Sequence, residues 1–289
     1  MTGKTENIKS LMTLDEILNA TGGRLVGSSE DFIFNSVVTD SRNVKEYSLF
    51  VPLVGEFQDG HKYVPDAVKA GSSVVFINES EYEKNSKTYD DLASAGTKFI
   101  IVKNTLHGLQ DAAEGYVKKF PNLIKVAVTG SCGKTTTKEM IVSVLKQKYS
   151  CVYTQGNLNS ETGLPLSVFN IRKEHECGIF EMGMNRENEI GEIAKVLKPE
   201  YAVITNIGTA HIGILGSREN IAKEKRKVFE YISENGCAFI PADDDFKDFA
   251  VENVKGNVIE FGVSVPENKS GAKYLSDKGL FGTEFLLDG

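Results

Sequence analysis

A chain of 289 residues has room for about two domains whose cores need no disulfides. With 40% hydrophobic and 25% charged residues and a net charge of -7, it reads as an ordinary globular protein. Wholesale nucleic-acid binding is disfavoured, and a local anion site stays open. No apolar run approaches the roughly 20 residues of a membrane span, and Met1 to Asn7 lack the apolar core of a secretion signal. The four cysteines (Cys132, Cys151, Cys177, Cys237) form no Cys-x-x-Cys pair, so a disulfide framework or zinc site is not expected and a reducing cytoplasm is.

In chain order, Leu14, Ile17 and Leu18 give a helical stripe that ends near Gly22-Gly23. Phe32 to Val38, Leu49 to Val54, Val74 to Ile77 and Phe99 to Val102 are predicted strands, with a helix about Ala67 to Ala70 and a polar surface loop over Lys84 to Asp91. This alternation predicts a small α/β domain over residues 1–104. From residue 105 to 289 longer helices alternate with apolar strands. Leu106 to Phe120 is helical and Pro121 stops it. Ile124 to Val128 is a strand buried on both faces, and Lys134 to Lys146 is a helix with Met140, Ile141, Val144 and Leu145 inward. Strands follow at Gly178 to Met182 and Tyr201 to Thr205, around a helix carrying Ile190, Ile193, Ala194 and Leu197. Repeated strand–helix units predict a doubly wound, mostly parallel sheet. Tyr274 to Gly289 reads as the start of another strand pair.

The strand at Ile124 to Val128 runs into Thr129-Gly-Ser-Cys-Gly-Lys-Thr-Thr-Thr137 and then into a helix. A glycine-bracketed turn in that position aims backbone N–H groups and the positive helix end at phosphate. Gly130, Ser131, Cys132, Gly133 and Thr136 form the cradle, Lys134 reaches the terminal phosphates, and the Thr135 hydroxyl is a Mg²⁺ ligand. The spacing is short, since the glycine four places earlier in the usual loop is missing. Cys132 is either a thiol activated by the helix end or a small residue tolerated in the turn. The absence of an adjacent thiol favours the second reading.

Glu181 ends a strand beside this loop, where an open α/β sheet places its ligands, and is either a metal ligand or a surface charge. His211 lies in the loop after the next strand. In the helix Ser217 to Ile232 the apolar stripe is Ile221, Val228, Phe229 and Ile232, and Lys225 falls on it, whereas Lys223 points about 200° away from Ile221. An inward lysine either pairs or snorkels, for instance toward Glu230, or is a neutral, nucleophilic amine open to carbamylation.

Together these residues resemble the Mur ligase family, ATP-dependent amide-bond-forming enzymes of peptidoglycan synthesis. The resemblance rests on the loop Thr129 to Met140, on Gly156-Asn-Leu-Asn-Ser-Glu-Thr-Gly-Leu-Pro-Leu166 and on Glu181 to Ile193. Asn206-Ile-Gly-Thr-Ala-His211 and Gly216 to Lys225 continue it. In the first domain Asp40-Ser-Arg42, Leu49 to Glu56 and Asp59-Gly-His61 carry it, so it runs from roughly residue 13 to 262. It implies a small N-terminal α/β UDP-substrate domain followed by a P-loop ATPase domain, with ATP and Mg²⁺ as cofactors. The segments at 156–166 and 181–193 resemble the member acting on UDP-N-acetylmuramoyl-tripeptide and D-alanyl-D-alanine. Neither nucleic acid nor membrane insertion is implied, and the family is monomeric and cytoplasmic.

The resemblance also assigns roles. Lys134 and the loop amides hold the ATP phosphates, with Asn157 and Asp243 also on the nucleotide. Thr135 and Glu181 hold one Mg²⁺, and His211 with a carbamylated Lys225 serves a second metal. The family's modified lysine falls nine residues after the glycine matched by Gly216, which selects Lys225. Ser41, Arg42, Asp59, His61 and Asn159 fall on the substrate side. Three departures stand out: Ile212-Gly213 replaces Leu-Glu after the histidine, Pro241-Ala-Asp-Asp244 replaces Asn-Ala-Asp-Asp, and family members continue into a third domain. The expectation for this chain is a fragment that binds both nucleotides and ligates weakly or not at all. The alternatives are a sibling MurE-type ligase or a non-catalytic nucleotide-binding module.

Overall fold

The computed structural model describes residues 9–262, 265 and 272–287. The N-terminal residues read as lacking a leader, and Gly289 at the end of the predicted last strand pair, lie outside them. Contacts divide the chain into two units. One holds the residues up to Pro121 together with Thr162–Lys173; the other holds Asn122–Glu161 and the residues from Glu174 on.

The first unit is built on a five-stranded sheet of β1 (Arg24–Val26), β2 (Ser36–Val38), β3 (Ser48–Phe50), β4 (Ser72–Asn78) and β5 (Lys98–Val102). Its order is β1-β5-β4-β3-β2, with β1 antiparallel to β5 and the rest parallel. The apolar runs in β4 and β5 bury Val75, Ile77, Phe99 and Ile101 with Phe50, Val64, Ala67 and Tyr89 in one core. Full burial of side chains this size is worth about 1.5–3 kcal/mol each. The helix Leu14–Thr21 begins with a reciprocal capping box, Glu16 N–H on Thr13 Oγ1 at 3.2 Å and Thr13 N–H on Glu16 Oε2 at 2.8 Å. It ends at Gly22, whose φ of 62° is left-handed.

Three expectations change here. Lys84 to Asp91 is part of a helix, Glu79–Ser94, bent at Asn85. Its polar composition hides a stripe of Tyr82, Tyr89 and Leu92 that packs on the sheet, and Tyr89 OH donates to Glu81 at 2.9 Å. The strand expected at Phe32 to Val38 shrinks to β2, because Phe34 gives its carbonyl to Leu11 N–H instead of a neighbouring strand. The helix Thr105–Val117, expected to open the second domain, is grouped with the first unit, where Leu109, Ala112, Ala113 and Tyr116 are buried. Gly115 permits the close approach, since a Cβ there would lie 2.7 Å from Ala20 Cβ.

The second unit contains β6 (Ile124–Thr129), β7 (Cys151–Tyr153), β8 (Cys177–Glu181), β9 (Tyr201–Ile204), β10 (Cys237–Pro241) and β11 (Asn257–Phe261). They form a parallel sheet in the order β11-β10-β9-β6-β8-β7. The chain enters at β6, winds one way to β7 and β8, and then crosses to β9 and beyond. The carboxyl ends of β6, β8 and β9 therefore flank the switch point, where such sheets bind ligands. The helix Glu189–Leu197 buries Ile190, Ile193, Ala194 and Leu197, as its periodicity predicts. The helix Lys134–Leu145 does not follow prediction: Met140 and Val144 are exposed, and the inward stripe is Lys138, Ile141, Val142 and Leu145. A buried lysine had masked the true face. The last described residues form an antiparallel pair, β12 (Ala272–Asp277) with β13 (Thr283–Leu287).

Candidate functional site

The turn from β6 into the helix Lys134–Leu145 takes its shape from two glycines. Gly133 caps the helix at φ 76°, and at Gly130 (φ 153°) a Cβ would fall 1.8 Å from Thr205 Oγ1, so no side chain fits. Lys134 is folded back with its Nζ donating to Gly130 O at 3.0 Å. Beyond it, Thr135 Oγ1 donates to Glu181 Oε2 at 2.8 Å, and Asn159 Nδ2 donates to Glu181 Oε1 at 2.7 Å. Glu181 is 2% exposed, and its own N–H is held by Thr154 Oγ1 at 3.0 Å. The sequence-predicted pair Thr135 and Glu181 is thus brought together at the switch point. Asn159, expected on the substrate side, fixes the carboxylate, while Asn157 lies exposed in the preceding turn.

Lys225 ends the helix Arg218–Lys225 and is 1% exposed, whereas Lys223 is exposed, as the helix-face argument predicts. No acid pairs with its ammonium among the described residues; Glu224 turns instead to the N–H groups of Asn188 and Ile190 and to Lys227. Burial, aided by the charge of Lys134, pulls the Lys225 amine down to about 7. His211 caps the short helix Ile212–Leu215 with a left-handed φ of 66°, a region uncommon for residues other than glycine but one that histidine enters more often than most. Its pKa is lowered by burial and by the charges of Lys225 and Lys134. Lys134, Lys225 and His211 are thus electrostatically coupled, and the charge of Lys134 favours the neutral forms of the other two.

The metal test is one of donor chemistry. Among the described residues no group of three or more His, Cys, Asp or Glu could cage an ion. The carboxylate of Glu181 and hydroxyl of Thr135 are hard oxygen donors of the kind that hold Mg²⁺ together with substrate phosphates. They fit that role, and nothing here fits a self-contained transition-metal site.

Sequence reasoning missed three contributors. Lys138, 1% exposed, donates to Thr154 O at 2.8 Å and pairs with Glu139, so it anchors the residue that holds Glu181. Asn206 and Thr205 clasp the phosphate loop from the end of β9. Asp243 is exposed, and its neighbour Asp244 is the group that makes a structural bond, accepting Ile207 N–H at 2.7 Å.

In the first unit Ser41 and Arg42 line a cavity of about 550 Å³ with Asp40, Leu53, Gln58 and Tyr63. Arg42 is held by Asp40 at 2.6 Å, and this guanidinium drops the Asp40 carboxyl to about 2. Asp59 and His61 are not among its lining residues. Asp59 accepts both the backbone N–H and Nδ1–H of His61, and His61 Nε2 accepts Asn78 N–H at 3.1 Å. With both ring nitrogens used and 4% exposure, His61 ties its loop to the end of β4 and has no group left for a ligand.

A doubly wound sheet with a phosphate loop, a buried carboxylate and converging lysines at its switch point defines a nucleotide-binding α/β protein. Comparison with known proteins narrows the class. The Mur ligase middle domain matches residues 128–285, and the Mur ligase family catalytic domain matches residues 34–117. The UDP-N-acetylmuramoyl-tripeptide--D-alanyl-D-alanine ligase of Treponema pallidum is 41% identical over 280 residues, 96% of this chain and 60% of its own. The ligase of the same name from Bacillus subtilis is 36% identical over 80% of this chain and 49% of its own length. Among solved structures, a crystal structure of MurF from Acinetobacter baumannii superimposes with a TM-score of 0.78 at 28% identity, covering 95% of this chain and 60% of that one. MurF from Thermotoga maritima in complex with ADP gives 0.66 at 29% identity, covering 84% and 52%. The chain belongs to the Mur ligase family, and it spans 49–60% of the length of the relatives named here.

Proposed function

We propose that this chain supplies the UDP-substrate and ATP sites of a ligase joining D-alanyl-D-alanine to UDP-N-acetylmuramoyl-tripeptide, as a monomer in the cytoplasm. The observation that carries the reading is the Lys134–Thr135–Glu181 arrangement with buried Lys225 beside it, in a chain 41% identical to a ligase of that name.

In this reading Lys134 exchanges the carbonyl of Gly130 for the ATP phosphates, and the N-terminal amides of its helix take the remaining oxygens. Thr135 and Glu181 hold Mg²⁺, which when bound neutralises phosphate charge. The terminal carboxylate of the tripeptide attacks the γ-phosphorus, the bond to ADP breaks, and an acyl phosphate forms. The D-alanyl-D-alanine amine then attacks the acyl carbon. The amide C–N bond forms, phosphate leaves and the amine proton goes to solvent. Positioning and charge neutralisation dominate such chemistry. A lysine near neutral pKa is partly unprotonated at pH 7, so the Lys225 amine can add to carbon dioxide, releasing a proton and leaving a carbamate. That anion offsets the charge of Lys134 and, with the neutral imidazole of His211, would supply ligands for a second metal. Ser41 and Arg42 receive the uridine diphosphate end in the first-unit cavity, and the exposed Asp243 is assigned to the ATP nucleotide.

Calorimetric titration of UDP-N-acetylmuramoyl-tripeptide, with a non-hydrolysable ATP analogue and Mg²⁺ present, tests this. Saturable binding displaced by UMP is expected. Binding of the ATP analogue without the UDP-peptide overturns the assignment of the first unit.

A further inference from the structure

Asn206 makes most of the side-chain bonds that hold the phosphate loop from outside. The carboxamide of Asn206 accepts the N–H groups of Ser131 (3.2 Å) and Cys132 (3.1 Å) through Oδ1. Its Nδ2 lies 3.2 Å from Cys132 O and 3.0 Å from Cys132 Sγ. The two backbone donors fix which end of the amide is oxygen, so the orientation follows from the contacts. Around it, Ser131 N–H also reaches Asn206 O at 3.1 Å, Thr205 Oγ1 donates to Cys132 O at 2.6 Å, and Gly208 N–H donates to Ser131 Oγ at 2.9 Å. The first half of the loop is therefore satisfied by protein, and the helix-end amides after Gly133 are left for a ligand.

The strap 205–208 that carries Asn206 is itself tied to the segment after β10. Asp244 Oδ2 accepts Ile207 N–H at 2.7 Å, and Arg218 donates to Ile207 O at 2.9 Å while pairing with Asp245 at 2.8 Å. One four-residue strap thus links the acidic turn 243–245 to the phosphate loop. Neither Asn206 nor Asp244 carries a role in the ligase reading.

We infer that Asn206 is a positioning residue that holds the phosphate loop in its ligand-ready shape, and that Asp244 holds Asn206 in place through the strap. The inference rests on the nucleotide reading of the second unit. An aspartate at 206 keeps both acceptor bonds but sets a carboxylate against Cys132 O and adds negative charge beside the phosphates. Alanine removes the side-chain contacts and leaves Cys132 N–H unpaired, while Ser131 N–H keeps its bond to the Asn206 carbonyl.

The test titrates Mg²⁺–tripolyphosphate, a ligand with no base, and MgADP into wild type, Asn206→Asp, Asn206→Ala and Asp244→Ala. Melting temperature without ligand and far-UV circular dichroism accompany each titration. Both Asn206 variants are expected to weaken both ligands about tenfold or more, with Asn206→Asp melting within a few degrees of wild type. Asp244→Ala is expected to weaken tripolyphosphate as well, which loss of a base contact alone cannot do. Folded Asn206 variants with wild-type affinities overturn the inference, even if they melt earlier. Wild type that binds neither ligand overturns the nucleotide reading, and this inference with it.

Discussion

The cavity of the first unit and the phosphate site of the second both gather charge, and they hold it in opposite ways. Arg42 and Asp40 form an ion pair with side chains 87% and 36% exposed. Such exposed pairs contribute little to stability and rearrange readily. Glu181, Lys138 and Lys225 are 1–2% exposed, and Glu181 and Lys138 are locked by hydrogen bonds to neighbouring elements. Fixed, desolvated groups act on phosphate charge without reorganising, which is the arrangement catalysis requires. Under the proposed function, the difference separates a recognition pocket with an exposed, adjustable ion pair from a chemical site fixed beforehand.

Substitutions can break this contrast. The largest effect is expected for Lys134→Ala, which should reduce MgATP affinity about 100-fold, or ~2.7 kcal/mol, in calorimetry. UDP-nucleotide binding should remain, and retention of MgATP affinity would remove Lys134 from the site. Glu181→Gln keeps the shape but not the charge. Nucleotide affinity should fall about tenfold in Mg²⁺ and stay unchanged in EDTA.

Lys225 sharpens the contrast through pH. Its folded-state pKa of about 7 lies below the ordinary 10.5, so between those values the unfolded chain binds a proton that the folded chain does not. Stability should therefore rise from pH 7 toward 10.5 in wild type, and the rise should vanish in Lys225→Met. Urea midpoints in carbon-dioxide-free buffer read this directly.

On the recognition side, Arg42→Ala should weaken the UDP-peptide about tenfold and leave the melting temperature unchanged. The Asp40 pair is lost only as pH falls toward about 2, so this affinity should be flat near neutrality. Smallest of all, Thr13→Ala removes half of a capping box. It should cost about 1 kcal/mol of stability without touching either ligand.

Much of this was readable before any coordinates. The phosphate loop announces itself because its glycines answer a local steric demand, and Lys225 because a charged residue interrupts an apolar stripe. What stayed hidden was polar and non-local. Nothing local marks Lys138 as buried; the carbonyl of Thr154 after β7 receives its ammonium, and the buried face of its helix shifts accordingly. Asn206 is an ordinary loop asparagine until the switch point brings it 74 residues back to Cys132. His61 and Asp59 flank Gly60, which lines the first-unit cavity, yet spend their polar atoms on each other and on Asn78. Lys84 to Asp91 reads as loop because Tyr89 is its one core-packed apolar residue, and the rest of the helix face, Tyr82 and Leu92, lies on either side of it.

The most direct test of two differently built nucleotide sites is to titrate MgADP into the chain already saturated with UMP. The expected result is a MgADP dissociation constant unchanged by UMP, one ligand per unit. Mutual exclusion of the two ligands would contradict it, because both would then compete for a single site.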